Sequence, residues 1–424
     1  MMKKTICFII LLCSVLLISF DAESYTIERT PVSLRPYTNS QYKYIDVRAQ
    51  MTSPFPDGAL AIGWNAETDM HITLVDKNLK RERDDIILAG HVIQGMTALP
   101  DNSVLALVVP VTEKINSNNY SNPAYLIKYS KDGKQLFKTH LLGGNGFRNV
   151  DDEGLERMMI PPCHPIGYHN GKIAVFMQIE KQWGPGRGIH EGDRYMVLDP
   201  DGTIDRSIDW SWSSSHSWCH QMTRTASGEI ITIQTGDRYP FGIQFINRSR
   251  PKQYRYPVIW PDEDQRTDSV LRANNSVVGA GQVFGAAGVG GNVFVLIGTT
   301  EKLPNNESKQ DLLLVGASPE GNVLFRNWVY RNSARSINGF GIVPFEGGAL
   351  IAFNEHPVYP DRSPGDTYLA FANREGSISR VEKIPYKSIV YYLSQLFSFP
   401  DGSAGWTYSP DPGTLEIFRV RAER

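Results

Sequence analysis

The sequence predicts an all-β fold, a seven-bladed β-propeller, because one strand pattern recurs along the whole chain. A short apolar strand, a tight turn and a second, strongly apolar strand occur seven times. The copies read TSPFPDGALAIGW at 52–64, TALPDNSVLALVV at 97–109, IGYHNGKIAVFMQ at 166–178, TRTASGEIITIQT at 223–235, AAGVGGNVFVLIG at 286–298, IVPFEGGALIAFN at 342–354 and LFSFPDGSAGWTY at 396–408. Most copies precede a second hairpin with a polar turn, such as LDPDGT at 198–203, which makes four strands per unit. The 37 glycines and 26 prolines favour many short strands and turns over a helical bundle.

Seven units account for residues 25–424 as one propeller domain, with six or eight blades left open. The last unit lacks its outermost strand, whereas the segment Tyr25–Asp46 has strand-like pieces and no unit of its own. We therefore expect this N-terminal segment to complete the last blade and close the ring. Two β-sandwiches, the alternative, would not explain one period along the whole chain.

The first 24 residues read as a signal peptide. A basic start at Met1–Lys4 precedes an apolar run, Ile6–Phe20, and small residues before a polar break predict cleavage after Ser24. The run is shorter than the roughly 20 residues of a membrane span, although a retained anchor stays an alternative. The prediction is a protein that is secreted or periplasmic and not associated with a membrane.

The overall charge is balanced, with 43 basic and 45 acidic residues, which argues against a nucleic-acid partner. One segment departs from this balance. Between Arg238 and Tyr256 there are five basic and no acidic residues, at 238, 248, 250, 252 and 255. This segment predicts an anionic ligand, and a solvated basic strand is the alternative.

Histidines and aromatic residues gather on the third and fourth predicted blades. In a propeller, the loops between second and third strands lie where each innermost strand begins, and a rigid scaffold of this kind often presents functional loops. On that side we place His164, Trp183, Arg187, His190, His216, Arg238 and Tyr239. His169 falls in a short turn on the other side, and we expect it to be structural or solvent-exposed.

Two histidines, then a tyrosine, then an arginine sixteen residues after it, on neighbouring blades, resemble the seven-bladed propeller ulvan lyases of polysaccharide lyase families 24 and 25. The matching positions are His164 (less well His169), His190, Tyr239 and Arg255. The resemblance implies a lyase that cleaves a sulfated, uronate-containing polymer by β-elimination. It also implies an anionic polysaccharide as partner.

Under this hypothesis Tyr239 acts as base and acid, assisted by His190 and His164. Arg255 neutralises the uronate carboxylate, with Arg238 as the fallback. Substrate-binding side chains would be Arg238, His216, Arg187 and Trp183. The chemistry requires no cofactor, and we expect a monomer. The alternative function is a non-catalytic propeller that binds glycan or protein; a propeller hydrolase or sulfotransferase is a third reading.

Cys163 and Cys219 head equivalent strands of consecutive blades and are the only cysteines after residue 24. In an oxidising compartment they predict a disulfide. A structural metal ion, Zn or Ca, is the alternative, and Cys163, Cys219 and His220 with His164 would offer ligands for Zn. If His164 binds metal, His190 acts with Tyr239, or His216 takes its place.

Overall fold

In the computed structural model, thirty strands form seven antiparallel sheets within the residues that it describes. The described ranges are 24–33, 45–46, 51–66, 69–111, 123–143, 156–158, 165–182, 189–212, 217–236, 242–250, 257–260, 282–302, 308–332, 335–356, 365–388, 396–411 and 414–423. Within them, no helix has the length and apolar character needed to cross a membrane.

Each sheet is one blade, whose strands follow one another from the innermost outward. The first blade comprises β2 (Ile45–Asp46) and β3 (Thr52–Pro54), which both pair with β4 (Leu60–Ala66), followed by β5 (Asp69–Val75) and β6 (Ile86–Leu88). The second blade comprises β7 (His91–Ala98), β8 (Ser103–Pro110), β9 (Ala124–Ser130) and β10 (Gln135–Leu142). The third blade comprises β11 (Glu156–Met158) and β12 (Ile166–His169), which both pair with β13 (Lys172–Gln182), followed by β14 (Ile189–Leu198) and β15 (Ile204–Trp212). The fourth and fifth comprise β16 (Ser217–Arg224), β17 (Ile230–Gly236), β18 (Gly242–Asn247), β19 (Val258–Trp260); and β20 (Gln282–Val289), β21 (Asn292–Lys302), β22 (Ser308–Ala317), β23 (Val323–Tyr330). The sixth and seventh comprise β24 (Ser336–Phe345), β25 (Gly348–His356), β26 (Gly365–Ala372), β27 (Ile378–Ser388); and β28 (Phe397–Ser398), β29 (Ala404–Asp411), β30 (Thr414–Ala422), β1 (Tyr25–Ser33).

The first strand of the chain lies at the outer edge of the seventh blade. β1 pairs with β30 along its whole length, from Tyr25 opposite Ala422 to Ser33 opposite Thr414. The innermost strands contact one another in cyclic order, and β28 contacts β3 of the first blade. The predicted seven-bladed propeller is therefore confirmed. Part of the predicted closing segment lies elsewhere, because Ile45–Asp46 pairs with the end of β4 in the first blade.

The hydrophobic core lies between neighbouring blades. Every residue of β4 is buried, and β25 is buried except at its last residue, because both faces of a second strand are covered by the adjacent blades. The outermost strands β23 and β27 alternate between more and less exposed residues, as expected for strands covered on one face. The apolar second strands that define the sequence repeat are thus the strands that pack the ring together.

The repeated turns supply the left-handed backbone that short hairpins need. Asn170 and Gly171 both have positive φ, 49° and 79°, which is the pattern of a type I′ turn. Glu346 and Gly347 repeat it at 45° and 76°. In this sixth copy the two turn residues are therefore Glu346 and Gly347, and Gly348 already belongs to β25.

Glycines let the innermost strands approach one another near the axis. A Cβ on Gly288 of β20 would lie 2.1 Å from the carbonyl oxygen of Arg224 in β16, so only glycine fits there. The innermost strands leave a central cavity of about 400 Å³ lined by residues of all seven blades. These lining residues include Arg224 and Gly288, near the short turns that end β16 and β20.

Candidate functional site

The strand register places the candidate loops of the third and fourth blades on one side of the ring. Ser217, which begins the innermost strand of the fourth blade, pairs with Gly236, and Gly236 pairs with Gly242. Gly236 and Gly242, which flank the connection 237–241 with Arg238 and Tyr239, therefore lie beside the start of the innermost strand. β14 begins at Ile189 on the equivalent side of the third blade, after the connection 183–188. The predicted polarity of the propeller is confirmed at these two blades.

Most of the predicted site side chains lie outside the described residues. They are His164, Trp183, Arg187, His216, Arg238, Tyr239 and Arg255, together with Cys163. Of His190 only the backbone position is described: it is the second residue of β14 and pairs with Lys181 of β13. The catalytic and substrate-binding assignments stay predictions, and the described residues define the foundation on which these loops stand.

That foundation is a cluster of buried polar side chains between the third and fourth blades, which we call the polar seam: Asp193, His220, Gln234 and Gln244. His220 Nε2 donates to Asp193 Oδ1 at 2.5 Å, since an ionised carboxylate only accepts. Gln234 Nε2 donates to Asp193 Oδ2 at 2.5 Å and to Gln244 Oε1 at 3.1 Å. All four side chains are at most 1% exposed. A carboxylate so deeply buried requires such donors, because its desolvation is costly.

The polar seam lies directly below the candidate loops. Gln234 is two residues before the end of β17, and Gln244 is two residues after the start of β18. Two residues span roughly 7 Å along a strand. The connection that carries Arg238 and Tyr239 therefore departs about one side-chain length above the seam. Asp193 lies three residues after His190 on β14.

The lower half of the same interface is apolar but small. Its core has four buried residues, Ala174, Phe176, Tyr195 and Val197, whereas each of the other six apolar clusters among the described residues has eleven or more. The guanidinium of Arg248 lies over the rings of Tyr195 (4.8 Å) and Phe176 (5.6 Å). Among the described residues, this interface therefore has the smallest apolar cluster of the seven.

Two of the five basic residues of the segment from Arg238 to Tyr256 have structural roles, which corrects part of the charge argument. Arg248 is buried in the blade interface and donates from Nε to Thr232 Oγ1 at 2.7 Å. Arg250 forms ion pairs with Glu229 (2.9 Å) and Glu320 (2.6 Å). Arg248 and Arg250 thus stabilise the fold, so fewer positive charges of this segment are available to a ligand than its sequence indicates.

The other face of the third blade brings buried charges close to His190. Lys181, the backbone partner of His190, is 2% exposed, and its Nζ donates to Ser211 Oγ at 3.0 Å. Arg194 forms a two-pronged ion pair with Asp209, at 2.8 and 2.6 Å. The hairpin that carries His190 is thus held by polar contacts on this face as well.

Cys219 and His220 are adjacent in sequence but their side chains diverge. Cys219 packs with the apolar cluster between the fourth and fifth blades, whereas His220 reaches Asp193 of the third. Among the described residues Cys219 has no disulfide partner, and burial raises the pKa of its thiol to about 12. Among the described residues no group of three or more His, Cys, Asp or Glu side chains could hold a metal ion. Since Cys163 and His164 lie outside those residues, the disulfide and the metal site both stay predictions.

Cys219 also marks an irregularity in β16. Its φ is 57°, and the register shifts between Trp218 and Gln221, so that β16 holds one residue more than β17 there. A non-glycine residue in the left-handed region costs about 1–3 kcal/mol, and such bulges are frequent next to functional sites. The bulge lies at the level of the polar seam.

Sequence reasoning did not single out Asp193, Gln234, Gln244 or Lys181. A signal for one of them was present: Gln234 interrupts the apolar second strand Ile230–Gly236. Gln178 does the same in β13, and its amide donates to Glu191 at 3.0 Å. A polar residue in a strand covered on both faces requires a buried partner.

No protein-family model and no curated protein matches the chain. Solved structures with which it aligns include an α-L-arabinanase from Penicillium chrysogenum in complex with arabinobiose (11% identity, 93% of this chain, 98% of that chain, TM-score 0.46). Others are an ulvan lyase of polysaccharide lyase family 25 (8%, 79% and 78%, 0.44) and a protein from Lactobacillus plantarum (10%, 80% and 86%, 0.42). All three TM-scores are below 0.5. The seven-bladed propeller is established by the seven sheets themselves.

Proposed function

We propose that the protein is a secreted polysaccharide lyase that cleaves a uronate-containing, sulfated polymer such as ulvan by β-elimination. The observation that carries this proposal is the polar seam, in which Asp193, His220 and Gln234 form a fully buried hydrogen-bonded cluster. It lies directly below the strand ends that flank the connection 237–241, which contains Tyr239, and Asp193 lies three residues after His190 on β14.

A cluster of this kind suits an active site because it holds the overlying loops in one geometry. Buried polar networks are favourable only when their hydrogen bonds are well made, so they specify a single arrangement of the strands that carry them. Catalytic groups must be kept close to their productive positions, and support from fixed neighbouring side chains achieves this. A purely apolar interface would tolerate more sliding of one blade against the next.

The proposed chemistry assigns one role to each candidate residue. Arg255, or Arg238 in its place, neutralises the uronate carboxylate, which makes the C5 proton more acidic. Tyr239 as phenolate takes this proton, the C4–C5 double bond forms, and the C4–O bond breaks. The leaving oxygen then receives the proton from the Tyr239 hydroxyl. His190 and His164 would assist by hydrogen bonds, and His216, Arg187 and Trp183 would bind neighbouring sugar residues.

The partner in this proposal is an anionic polysaccharide outside the cytoplasm. The elimination requires no redox step, so the chain's own acid and base groups are sufficient for it. The protein would act as a monomer, since all the candidate residues come from adjacent blades of one ring.

The test is ultraviolet absorbance during incubation with ulvan, which detects the unsaturated uronate that β-elimination produces. We expect Tyr239→Phe to lower the rate at least about 100-fold, the contribution of a general acid–base group. The matched control is Tyr129→Phe, which alters a buried tyrosine of the second blade. A flat trace for the unaltered protein, with ulvan, heparin and alginate alike, would contradict the lyase. That result would favour a propeller that binds glycan or protein without cleaving it.

A further inference from the structure

A second cleft opens between the sixth and seventh blades, away from the polar seam. Its volume is about 270 Å³. One wall is the end of β27, with Tyr386 and Lys387, and the other comes from the seventh blade, including Tyr408 of β29 and Arg29 of β1. The cleft lies three blades from the candidate catalytic loops, so it does not belong to that site.

The floor of the cleft is aromatic. Trp406 and Phe418 stack with centroids 4.8 Å apart and their rings 3° from parallel, and both are 2% exposed. Tyr386 meets Phe418 edge to face at 5.0 Å. Tyr386 and Tyr408 are half-buried, so each presents part of its ring to the cleft. Aromatic rings with a negative face attract the polarised C–H groups of a sugar ring, and their phenol hydroxyls can bond to sugar hydroxyls.

Charged groups surround this aromatic floor unevenly. Arg29 is paired with the buried carboxylate of Glu416, and its guanidinium lies 5.8 Å from the centre of the Tyr386 ring. Lys387 lies 4.0 Å from Asp366, which already accepts Lys383 at 2.7 Å. Lys387, whose side chain is 69% exposed, is therefore the least neutralised cation at the cleft. The cleft thus combines aromatic surface, a paired donor and acceptor, and one cation.

We propose that this cleft is a second carbohydrate site that holds one sugar residue with a carboxylate or sulfate group. The sugar ring would lie against Tyr386 and Tyr408, its anionic group near Lys387, and its hydroxyls at the Arg29–Glu416 pair. This inference rests on the proposed function in one respect only, namely that the polymer contains uronate and sulfate groups. Two sites on one polymer raise the effective concentration at the catalytic loops, so long chains benefit and short ones do not.

The experiment needs a signal that belongs to this cleft alone. Trp406 lies in its floor, so protein labelled with 5-fluorotryptophan gives a local fluorine resonance, assigned by its loss in Trp406→Phe. Glucuronate and glucose 6-sulfate are the anionic probes, and glucose is the neutral one. We expect saturable shifts of the Trp406 resonance with either or both anionic sugars. We expect about tenfold weaker binding in Lys387→Ala, which loses one charge-assisted hydrogen bond.

Matched controls separate the cleft from general surface effects. Lys77→Ala removes an exposed lysine of the first blade that does not line the cleft, and Trp328→Ala removes an exposed aromatic residue of the fifth blade. Both should bind the probes like the unaltered protein, whereas Tyr386→Ala should bind them less tightly. A Trp406 resonance that neither anionic sugar moves, or shifts that persist unchanged in Lys387→Ala, would overturn the proposal. Saturable, Lys387-dependent shifts in a protein without lyase activity would support the cleft and reject only the proposed function.

Discussion

His220 of the fourth blade donates from Nε2 to the Asp193 carboxylate of the third blade at 2.5 Å, and neither side chain reaches solvent. Gln234 donates to the second carboxylate oxygen at the same distance. This contact joins two blades at the level where the candidate loops depart. Because a buried charge without its partners is strongly unfavourable, the two blades are held in the one register that preserves these hydrogen bonds.

The first prediction concerns Asp193→Asn. The amide keeps the size of the carboxylate but offers one acceptor oxygen to two buried donors, His220 and Gln234. One donor is then left without its acceptor, and we expect a loss of about 3 kcal/mol in the free energy of unfolding, measured by urea denaturation. Asp205→Asn is the control, since this carboxylate pairs with an exposed lysine at the surface and should lose much less. Equal losses in the two variants would contradict a supporting role of the seam.

The second prediction is the pH dependence of that control. The hydrogen bond from Lys172 and those from Ser207 lower the pKa of Asp205 from 3.8 to about 2. A lowered pKa means that the ionised form is favoured in the folded state, so its stabilisation is complete above about pH 4 and is lost as the pH falls through 2. Urea unfolding should give a constant difference between the unaltered protein and Asp205→Asn near neutral pH, shrinking to zero near pH 2. A difference that stays the same at pH 2 would contradict a stabilising role of the ionised carboxylate.

The propeller could be predicted because the residues that pack it are local in sequence. An apolar second strand such as Leu60–Ala66 is buried on both faces, and the turn before it contains Gly58 with a φ of 86°. Buried strands and hairpin turns can therefore both be recognised from sequence patterns of about a dozen consecutive residues. The outer strand of the last blade was inferred by elimination, and the pairing of Tyr25 with Ala422 accounts for that strand.

The foundation of the site could not be predicted in the same way, because it joins residues of different blades. Asp193, His220 and Gln234 meet only once the register of three strands and the packing of two sheets are fixed. The charge of Arg248 was read as available to a ligand, whereas the guanidinium is buried against Tyr195. Sequence shows that a cation is present but not whether an aromatic ring covers it.

The third prediction concerns the thiol of Cys219. Burial raises its pKa to about 12, so little thiolate forms near neutral pH, and its packing against the fourth and fifth blades limits access. We expect iodoacetamide to leave Cys219 unmodified in the folded protein and to alkylate it in urea, as measured by mass spectrometry of its peptide. If Cys163 and Cys219 form a disulfide, the urea sample stays unmodified until a reductant is added. Fast alkylation of the folded protein would contradict both the raised pKa and the limited access to the thiol.

The fourth prediction tests how tightly the innermost strands pack around the central cavity. A Cβ added at Gly288 would lie 2.1 Å from the Arg224 carbonyl oxygen, and because this is backbone, no side-chain rotation can relieve the clash. Gly288→Ala should therefore push β16 and β20 apart and lower the free energy of unfolding by about 1–3 kcal/mol, the usual cost of overpacking. Gly291→Ala is the matched control, since a Cβ there meets nothing within 4 Å. Urea unfolding of both variants measures the contrast, and similar values would mean that the two strands are free to separate. Because β16 also carries His220, we further expect Gly288→Ala to weaken the polar seam, and with it any activity at the loops above.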